Sequence, residues 1–180
     1  MATDLTGLKA KLELLLTAEP AKTADFATMK APVTLAKVLE MSFGASATQL
    51  NQIWWDRRVL AGGADDELDF TGVLKNPFGV TVSFSTVDLI LVINRSALTT
   101  TTPAHTATEA TISVGPGAAN DWLGPFQADS DRLNVFHGCP LLLLDPYHNT
   151  FVSGADDLKI TNEEGAIEAM YDILMAGTSV

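Results

Sequence analysis

The stretch ELDFTGVLKNPFGVTVSFSTVDLILVIN, residues 67–94, decides the fold class of this chain. At its middle, residues 76–79 have proline at the second turn position and glycine at the fourth, a composition typical of a type I turn. Val80, Val82 and Phe84 then alternate with small polar residues, which is the period of a strand with one buried face. The stretch therefore predicts an all-β protein.

The alternation changes phase after Phe84. In the second half of the stretch the apolar residues occupy odd positions: Val87, Leu89, Leu91 and Ile93. A regular strand would put the two apolar sets on opposite faces, so we predict a bulge or bend near residues 85–86 that realigns them. The alternative is a strand covered on both faces in its second half, which the apolar run at residues 89–93 would tolerate.

Composition limits the classes of protein that this chain can belong to. Of its 180 residues 47% are hydrophobic and 18% charged, so we expect one domain over residues 1–180 with a sizeable core. The formal net charge of -11 opposes binding to nucleic acid or anionic lipid. A single cysteine excludes an intrachain disulfide. Because no apolar run reaches membrane-spanning length and no signal peptide is evident, we expect a soluble protein made in the cytoplasm.

Several other segments have the period of strands. Strands are predicted over residues 8–16, 33–43, 49–60, 111–114 and 141–144, and a hairpin over residues 158–175. Residues 8–16 also fit a helical stripe, but the strand-like chain downstream favours a strand. Residues 18–31 have no sustained period and are predicted to form an extended arm or loop. A total of eight to ten strands predicts an antiparallel β-sandwich, jelly-roll-like in its arrangement.

Four aromatic or apolar residues are candidates for contact with partners. Trp54 and Trp55 are adjacent, so a strand directs them to opposite faces and only one of them can enter the core. Phe26 and Met29 are apolar anchors on the otherwise polar segment 18–31. Two anchors offset only part of the entropy of fixing this segment, about 1–2 kcal/mol per residue, so we expect a neighbouring subunit to order it.

Candidate catalytic or metal-binding groups are few. Three clusters occur: His137, Cys139 and His148; Asp129, Asp131 and Asn134; and the acidic residues of 65–69. The first has fewer than the four ligands of a structural zinc site, and the second lacks the glycine and distal glutamate of an EF-hand. Packing and solvated acidic loops are the interpretations that we prefer. No phosphate-binding loop or nucleophile elbow occurs, so we expect no enzyme activity, no metal and no cofactor.

A succession of motifs runs from Trp54 to the C-terminal strand. These are a D-x-R-x-L strand at Asp56, Arg58 and Leu60, an acidic loop, an L-D-x-x-G-x-L-x-N-x-F-G element at residues 68–79, an L-L-L-L-D-P run at residues 141–146, and a closing Y-D-I-L strand at residues 171–174. The succession resembles a family of small virion structural proteins of tailed bacteriophages. Phe70 departs from it, because the family has an aliphatic residue there.

The resemblance implies a capsid decoration or cement protein that binds the outer surface of the head, located in the virion and made in the host cytoplasm. The partners implied are the major capsid protein and further copies of the chain, most commonly as a trimer. The interface candidates are Trp54, Trp55, Phe26, Met29, Arg57 and Arg58. A tail or head-completion component, a carbohydrate-binding β-sandwich, and an enzyme using the Cys139 group are the alternatives.

Overall fold

The computed structural model describes residues 8–19, 21–24, 27–30, 32–76, 78–96, 110–117, 121–147, 152, 154 and 156–179. The strands are β1 (Ala10–Ala18), β2 (Ala21–Ala24), β3 (Ala27–Lys30), β4 (Val33–Phe43), β5 (Gln49–Leu50), β6 (Gln52–Leu60), β7 (Asp65–Asp69), β8 (Thr86–Asn94), β9 (Ile112–Pro116), β10 (Leu133–Val135), β11 (Pro140–Leu144), β12 (Asp157–Asn162) and β13 (Ala169–Thr178). The described residues form no helix, and so none that is long and apolar enough to cross a membrane. The predicted all-β class is confirmed.

Eight of the strands form a sandwich of two antiparallel sheets. The first sheet has the order β11-β8-β13-β6 and the second the order β10-β9-β12-β7. The pairs are nested along the chain, because β6 pairs with β13, β7 with β12, β8 with β11 and β9 with β10. This nesting is the arrangement of an eight-stranded jelly roll. The predicted antiparallel, jelly-roll-like sandwich is therefore confirmed.

Large apolar side chains from both sheets fill the space between them. The largest of these include Trp54, Leu68, Phe70, Ile90, Ile112, Trp122, Ile160, Tyr171, Ile173 and Met175. The ring of Phe70 lies edge-on to Trp122, with centroids 5.1 Å apart, and to Phe84 at 6.3 Å. Aromatic pairs prefer this T-shaped geometry. Phe70, the departure from the family pattern, is thus a central element of the core.

The predicted turn at residues 76–79 is present. The N–H of Gly79 donates to the carbonyl of Asn76 at 2.8 Å, and the Asn76 side chain accepts from the N–H groups of Phe78 and Val80. Residues 80–84 alternate in burial as predicted, but they join the ladder through one isolated bridge instead of a regular strand. A hairpin-like turn followed by irregular backbone therefore leads into β8.

Strand β8 contains a bulge, but it lies at Asp88 and not near residues 85–86, and of the odd-numbered apolar set it leaves only Val87 in the core, so this prediction was wrong in position and effect. Ala176 pairs with Leu89 and Gly177 pairs with Val87, so Asp88 is the extra residue on β8. The bulge allows Val87 to share the core with the later even-numbered residues of the strand, and the odd-numbered residues after it lie on the outer face. Only the first half of β8 is covered on both faces.

Two predictions for the C-terminal part of the chain were wrong. The hairpin predicted over residues 158–175 does not form, because β12 pairs with β7 and β9 whereas β13 pairs with β6 and β8. Residues 163–168 cross from one sheet to the other. The run at residues 141–144, predicted as a buried strand, belongs to β11 at the edge of the first sheet and is only half-buried.

In the N-terminal part, β1 and β4 form a long antiparallel pair, which we call the hairpin. Its strands β1 and β4 pair from Ala10 opposite Met41 to Ala18 opposite Val33, confirming the strands predicted over residues 8–16 and 33–43. Residues 18–31, predicted to lack regular structure, include the paired strands β2 and β3. Backbone pairing supplies this order where small side chains give no periodic signal.

Gly177→Ala is expected to destabilise the sandwich, because a β-carbon at this position would clash with the backbone carbonyl oxygen of Thr86. Strand β8 would have to shift to relieve this contact, so we expect the free energy of unfolding to fall by about 1–3 kcal/mol in a denaturant titration. Gly165→Ala is the control, since a β-carbon there meets no described atom within 4 Å. Equal losses in both variants would contradict the close approach of β13 to β8.

Candidate interaction surface

The two faces of the hairpin differ in chemistry, because residues opposite each other in antiparallel strands share a face. One face, which we call the aliphatic face, is formed by Ala10, Leu12, Leu14, Leu16 and Ala18 of β1 with Met41, Leu39, Lys37, Leu35 and Val33 of β4. The other, the mixed face, is formed by Lys11, Glu13, Leu15 and Thr17 with Glu40, Val38, Ala36 and Thr34. Lys37 is the single charged residue among those of the aliphatic face.

The root of the aliphatic face packs against the outer side of the first sheet. Met41 is buried in a cluster with Leu50 of β5, Leu89 of β8 and Ala176 of β13, and Leu39 packs against this cluster. This second cluster lies on the side of the first sheet that faces away from the main core, because Leu89 and Ala176 alternate with core residues along their strands. The hairpin is therefore anchored to the sandwich by hydrophobic contact.

Beyond its root the aliphatic face is uncovered. Leu14, Leu16 and Leu35 are 60%, 59% and 62% exposed, and Val33 is 49% exposed. A single exposed leucine is ordinary, but a row of aliphatic side chains on one sheet face is a contiguous patch of the kind that marks interaction sites. A two-stranded hairpin is also only marginally stable by itself. These properties indicate a surface that becomes covered in an assembly.

A second apolar surface lies on the outer face of the first sheet, beside the hairpin root. It is a groove of about 630 Å³ lined by Ile53, Trp55, Asp56, Arg57, Leu91, Ile93, Asp172, Ile173 and Leu174. We call it the outer groove. Its aliphatic residues come from the three adjacent strands β6, β8 and β13, and Trp55 is 50% exposed beside them. The outer groove therefore offers an apolar floor and a large aromatic side chain to a partner.

Charged side chains stand beside this apolar floor. Asp172 accepts hydrogen bonds from Arg57 Nε at 2.6 Å, Arg57 Nη2 at 3.0 Å and Arg95 Nε at 2.8 Å. The hydrogen bonds from Arg57, with those from Arg95, lower the pKa of Asp172 to about 2. Asp172 therefore stays ionised at neutral pH, and the three side chains hold one another in fixed positions.

The two adjacent tryptophans point to opposite faces, as predicted. Trp54 is buried in the main core, whereas Trp55 lies on the outer groove. Arg58 is on the inward side as well, with its guanidinium carbon 5.3 Å from the Trp54 ring centre. Alternation along β6 turns Trp54 and Arg58 away from the outer groove, so Trp54 is corrected from an interface candidate to a core residue and Arg58 to a half-buried residue on the same side as Trp54. Trp55 and Arg57 remain accessible.

Arg58 belongs to a polar network between the two sheets. Arg58 Nη1 donates to both carboxylate oxygens of Asp66, at 2.8 and 2.9 Å, and the hydroxyl of Tyr171 donates to Asp66 Oδ2. Burial, together with the hydrogen bond to Asp66, raises the pKa of Tyr171, so the phenol remains protonated and keeps donating. The motif residues Arg58 and Tyr171 thus face each other across paired strands and serve the fold.

Apart from Asp69, which is described below, the other predicted ligands do not converge on a site among the described residues. Asp131 accepts from the backbone N–H groups of Gln127 and Ala128, at 2.8 and 3.1 Å, and so closes its own loop. Asp65 of the acidic run accepts from Thr161 at 2.7 Å. Cys139 is exposed. His148 and Phe26 lie outside the described residues, and Met29 lies in β3 with its side chain outside the description, so the roles of these residues stay predictions.

One acidic group was missed by the sequence search. Carboxylate oxygens of Asp69, Asp156 and Asp157 lie within 4.8 Å of one another. Burial, followed by the neighbouring Asp156, raises the pKa of Asp157. Asp69 already accepts from the backbone N–H and the hydroxyl of Thr71. The three residues come from β7 and the start of β12, so only the pairing of these strands could have revealed the group.

Comparisons with known proteins leave the family open. No family model and no curated protein matches the chain. Among solved structures, the Yersinia pseudotuberculosis-derived mitogen aligns with a TM-score of 0.35 and 11% identity, covering 70% of this chain and 86% of the mitogen. The coat protein of Tobacco streak virus, solved as a dimer, aligns with a TM-score of 0.31 and 12% identity, covering 72% and 89%. Likenesses at this level assign no function, which has to be inferred from the surfaces.

Replacing each of the two tryptophans by alanine tests which of them belongs to the core. Trp54→Ala should lower the free energy of unfolding by about 3–5 kcal/mol, because it leaves a large cavity between the sheets. Trp55→Ala should change it by less than about 1 kcal/mol, since half of this side chain is already exposed. Chemical denaturation of both variants provides the measurement. Similar losses would show that Trp55 contributes to the core and would remove it from the interaction surface.

Acid denaturation tests the cluster at Asp172. The pKa of Asp172 is about 2 in the folded chain and 3.8 for the free group, so the unfolded chain binds the proton more tightly. The stabilisation is fully present above about pH 4 and is lost as the pH falls through about 2. Asp172→Asn should therefore flatten the decline of unfolding free energy between these pH values, whereas Glu168→Gln, at an exposed carboxylate, should leave it unchanged. A decline as steep in Asp172→Asn as in the unmodified protein would contradict this assignment.

Proposed function

We propose that this chain is a non-enzymatic virion structural protein of a tailed bacteriophage, and that it acts as a decoration or cement protein on the outer surface of the head. The uncovered aliphatic face of the hairpin is the observation that supports this role most directly. A protein that stabilises a shell requires exposed apolar surface for its partners on a stiff scaffold. The sandwich supplies the scaffold and the hairpin supplies the surface.

The motif residues fit a structural role. Arg58 and Asp66 form an ion pair between β6 and β7, and Tyr171 of β13 donates to the same carboxylate. The pair is partly buried, so removing one partner would leave a charge with restricted access to water. The resemblance to the phage family thus falls on residues that join the two sheets.

Charge supports a position outside the shell. The net charge of -11 repels the phosphates of packaged DNA, so contact with the outer surface of the head is favoured over contact with its contents. The major capsid protein is the partner that this position implies. Assembly as a trimer on the head follows from the same resemblance.

A carbohydrate-binding sandwich is the second candidate, and the outer groove is the observation that favours it. Trp55 is half-exposed beside Arg57 and Asp172, and an aromatic face next to hydrogen-bonding groups can hold a sugar. The remaining floor of the groove is aliphatic, with Ile53 and Leu91 among its residues. Such a floor would leave sugar hydroxyls without partners, so an apolar protein segment fits the groove better.

Sedimentation with phage heads that lack this protein tests the proposed function. The purified chain should pellet with the heads and should raise the temperature at which they release DNA. Leu16→Lys combined with Leu35→Lys, on the aliphatic face, should weaken both effects. Leu15→Lys is the matched control, because Leu15 is 67% exposed but lies on the mixed face.

Three outcomes would contradict the proposal. Recovery of the chain on tails and not on heads would favour the tail or head-completion role. Binding to glycans without binding to heads would favour the carbohydrate-binding alternative. An unmodified chain that stays in the supernatant with heads and with tails would remove the virion role altogether.

A further inference from the structure

We propose that the aliphatic face of one subunit's hairpin binds in the outer groove of a second copy of this chain, so that copies join head to tail. This contact would form between copies of the isolated protein through the face that the proposed function assigns to the phage head, so binding to heads would replace it, and the two proposals are tested by separate assays. The distal aliphatic residues Leu14, Leu16, Leu35 and Val33 would contact the groove residues Ile53, Trp55, Leu91 and Ile93.

The two open surfaces continue a contact that the subunit already makes. At the root of the hairpin, Met41 and Leu39 cover the outer face of the first sheet around Leu89. Leu91 and Ile93 follow Leu89 at alternate positions of β8, and they form the part of the same face that is left open as the outer groove. Hairpin and sheet face are thus each covered at one end and open at the other. The same aliphatic packing can therefore be extended by a second copy.

The hairpin of the same subunit is not able to fill its own groove. Strands β1 and β4 pair without interruption from Ala10–Met41 to Ala18–Val33. At about 3.3 Å per residue, the far end of this ladder lies roughly 25 Å from its root. Folding the distal leucines back onto the groove beside the root would break the ladder. The occupant therefore has to come from another molecule.

The charged groups of the two surfaces can remain at the edge of the contact. Lys37, opposite Leu14, is the single charge on the aliphatic face, and its long side chain can keep the ammonium group in water while the stem packs against aliphatic groups. Arg57 is already held by Asp172 and would remain at the polar rim that such interfaces usually have.

The contact joins two different surfaces, so it is heterologous, and an open chain of copies keeps one free hairpin at one end and one free groove at the other until a ring closes. A contact in which two hairpins pack on each other would differ, because it is symmetric and would stop at a dimer. The hairpin-to-groove contact can add further copies until a ring closes. Variants that damage only one of the two surfaces can therefore test it directly.

The test is analytical ultracentrifugation of the isolated chain at micromolar concentration. The hairpin variant is Leu14→Glu with Leu35→Glu, and the groove variant is Trp55→Glu. Each should weaken self-association roughly a hundredfold or more, because a carboxylate would be buried against aliphatic groups. The matched controls are Leu15→Glu on the mixed face and Val59→Glu, 58% exposed on β6 but outside the groove; both should associate as the unmodified chain does.

Mixing the two monomeric variants provides the decisive result. The hairpin variant keeps an intact groove and the groove variant keeps an intact hairpin, so together they should form a one-to-one complex. Thermal unfolding and near-UV circular dichroism test whether each variant is folded. If Trp55→Glu does not fold, Ile93→Lys replaces it as the groove variant.

Any of three results would overturn the inference. They are a monomeric unmodified chain, a folded groove variant that associates as well as the unmodified chain, or a mixture of the two variants that forms no complex. Head sedimentation is scored separately, so a chain that binds heads as a monomer would retain the proposed function while losing this contact.

Discussion

The pairing of β6 with β13 is the constraint on which the rest of this structure depends. It joins the first and last strands of the sandwich from Gln52–Gly177 to Leu60–Ala169 and encloses the three inner pairs. Arg58 of β6, Asp66 of β7 and Tyr171 of β13 link this closure to the second sheet through one polar network. The outer groove exists because the closure sets β6 beside β13, and β13 beside β8, on one surface.

Local periodicity was enough to predict the class of fold and most of the long strands, because a two-residue period is a property of the chain itself, but it missed β2 and β3. It was not enough to predict which strands pair with each other. The alternation of β12 and β13 is that of a hairpin, and only the closed sandwich shows that these strands lie in different sheets. The leucines of β1 illustrate the same limit, since alternation shows which residues share a face but not whether anything covers that face.

The interaction surface was predictable only in part. Adjacency required one of Trp54 and Trp55 to face outward, but the choice depends on which side of β6 the second sheet covers. The outer groove combines residues near positions 53, 91 and 174, which lie far apart in the chain and meet through sheet order. Arg58 shows the opposite error, because a charge next to exposed residues suggested the surface whereas its side chain is half-buried beside Asp66 of β7.

The nested order of the strand pairs also affects how the chain acquires its structure. The pair β9–β10 closes a short loop. Once it has formed, each pair outside it has only a short additional length of chain to close, so each step costs little further entropy. Strand β6 leaves the ribosome long before β13, and its edge and the aliphatic face of the hairpin have no cover during that interval. Synthesis at high concentration therefore favours chaperone binding to the nascent N-terminal part.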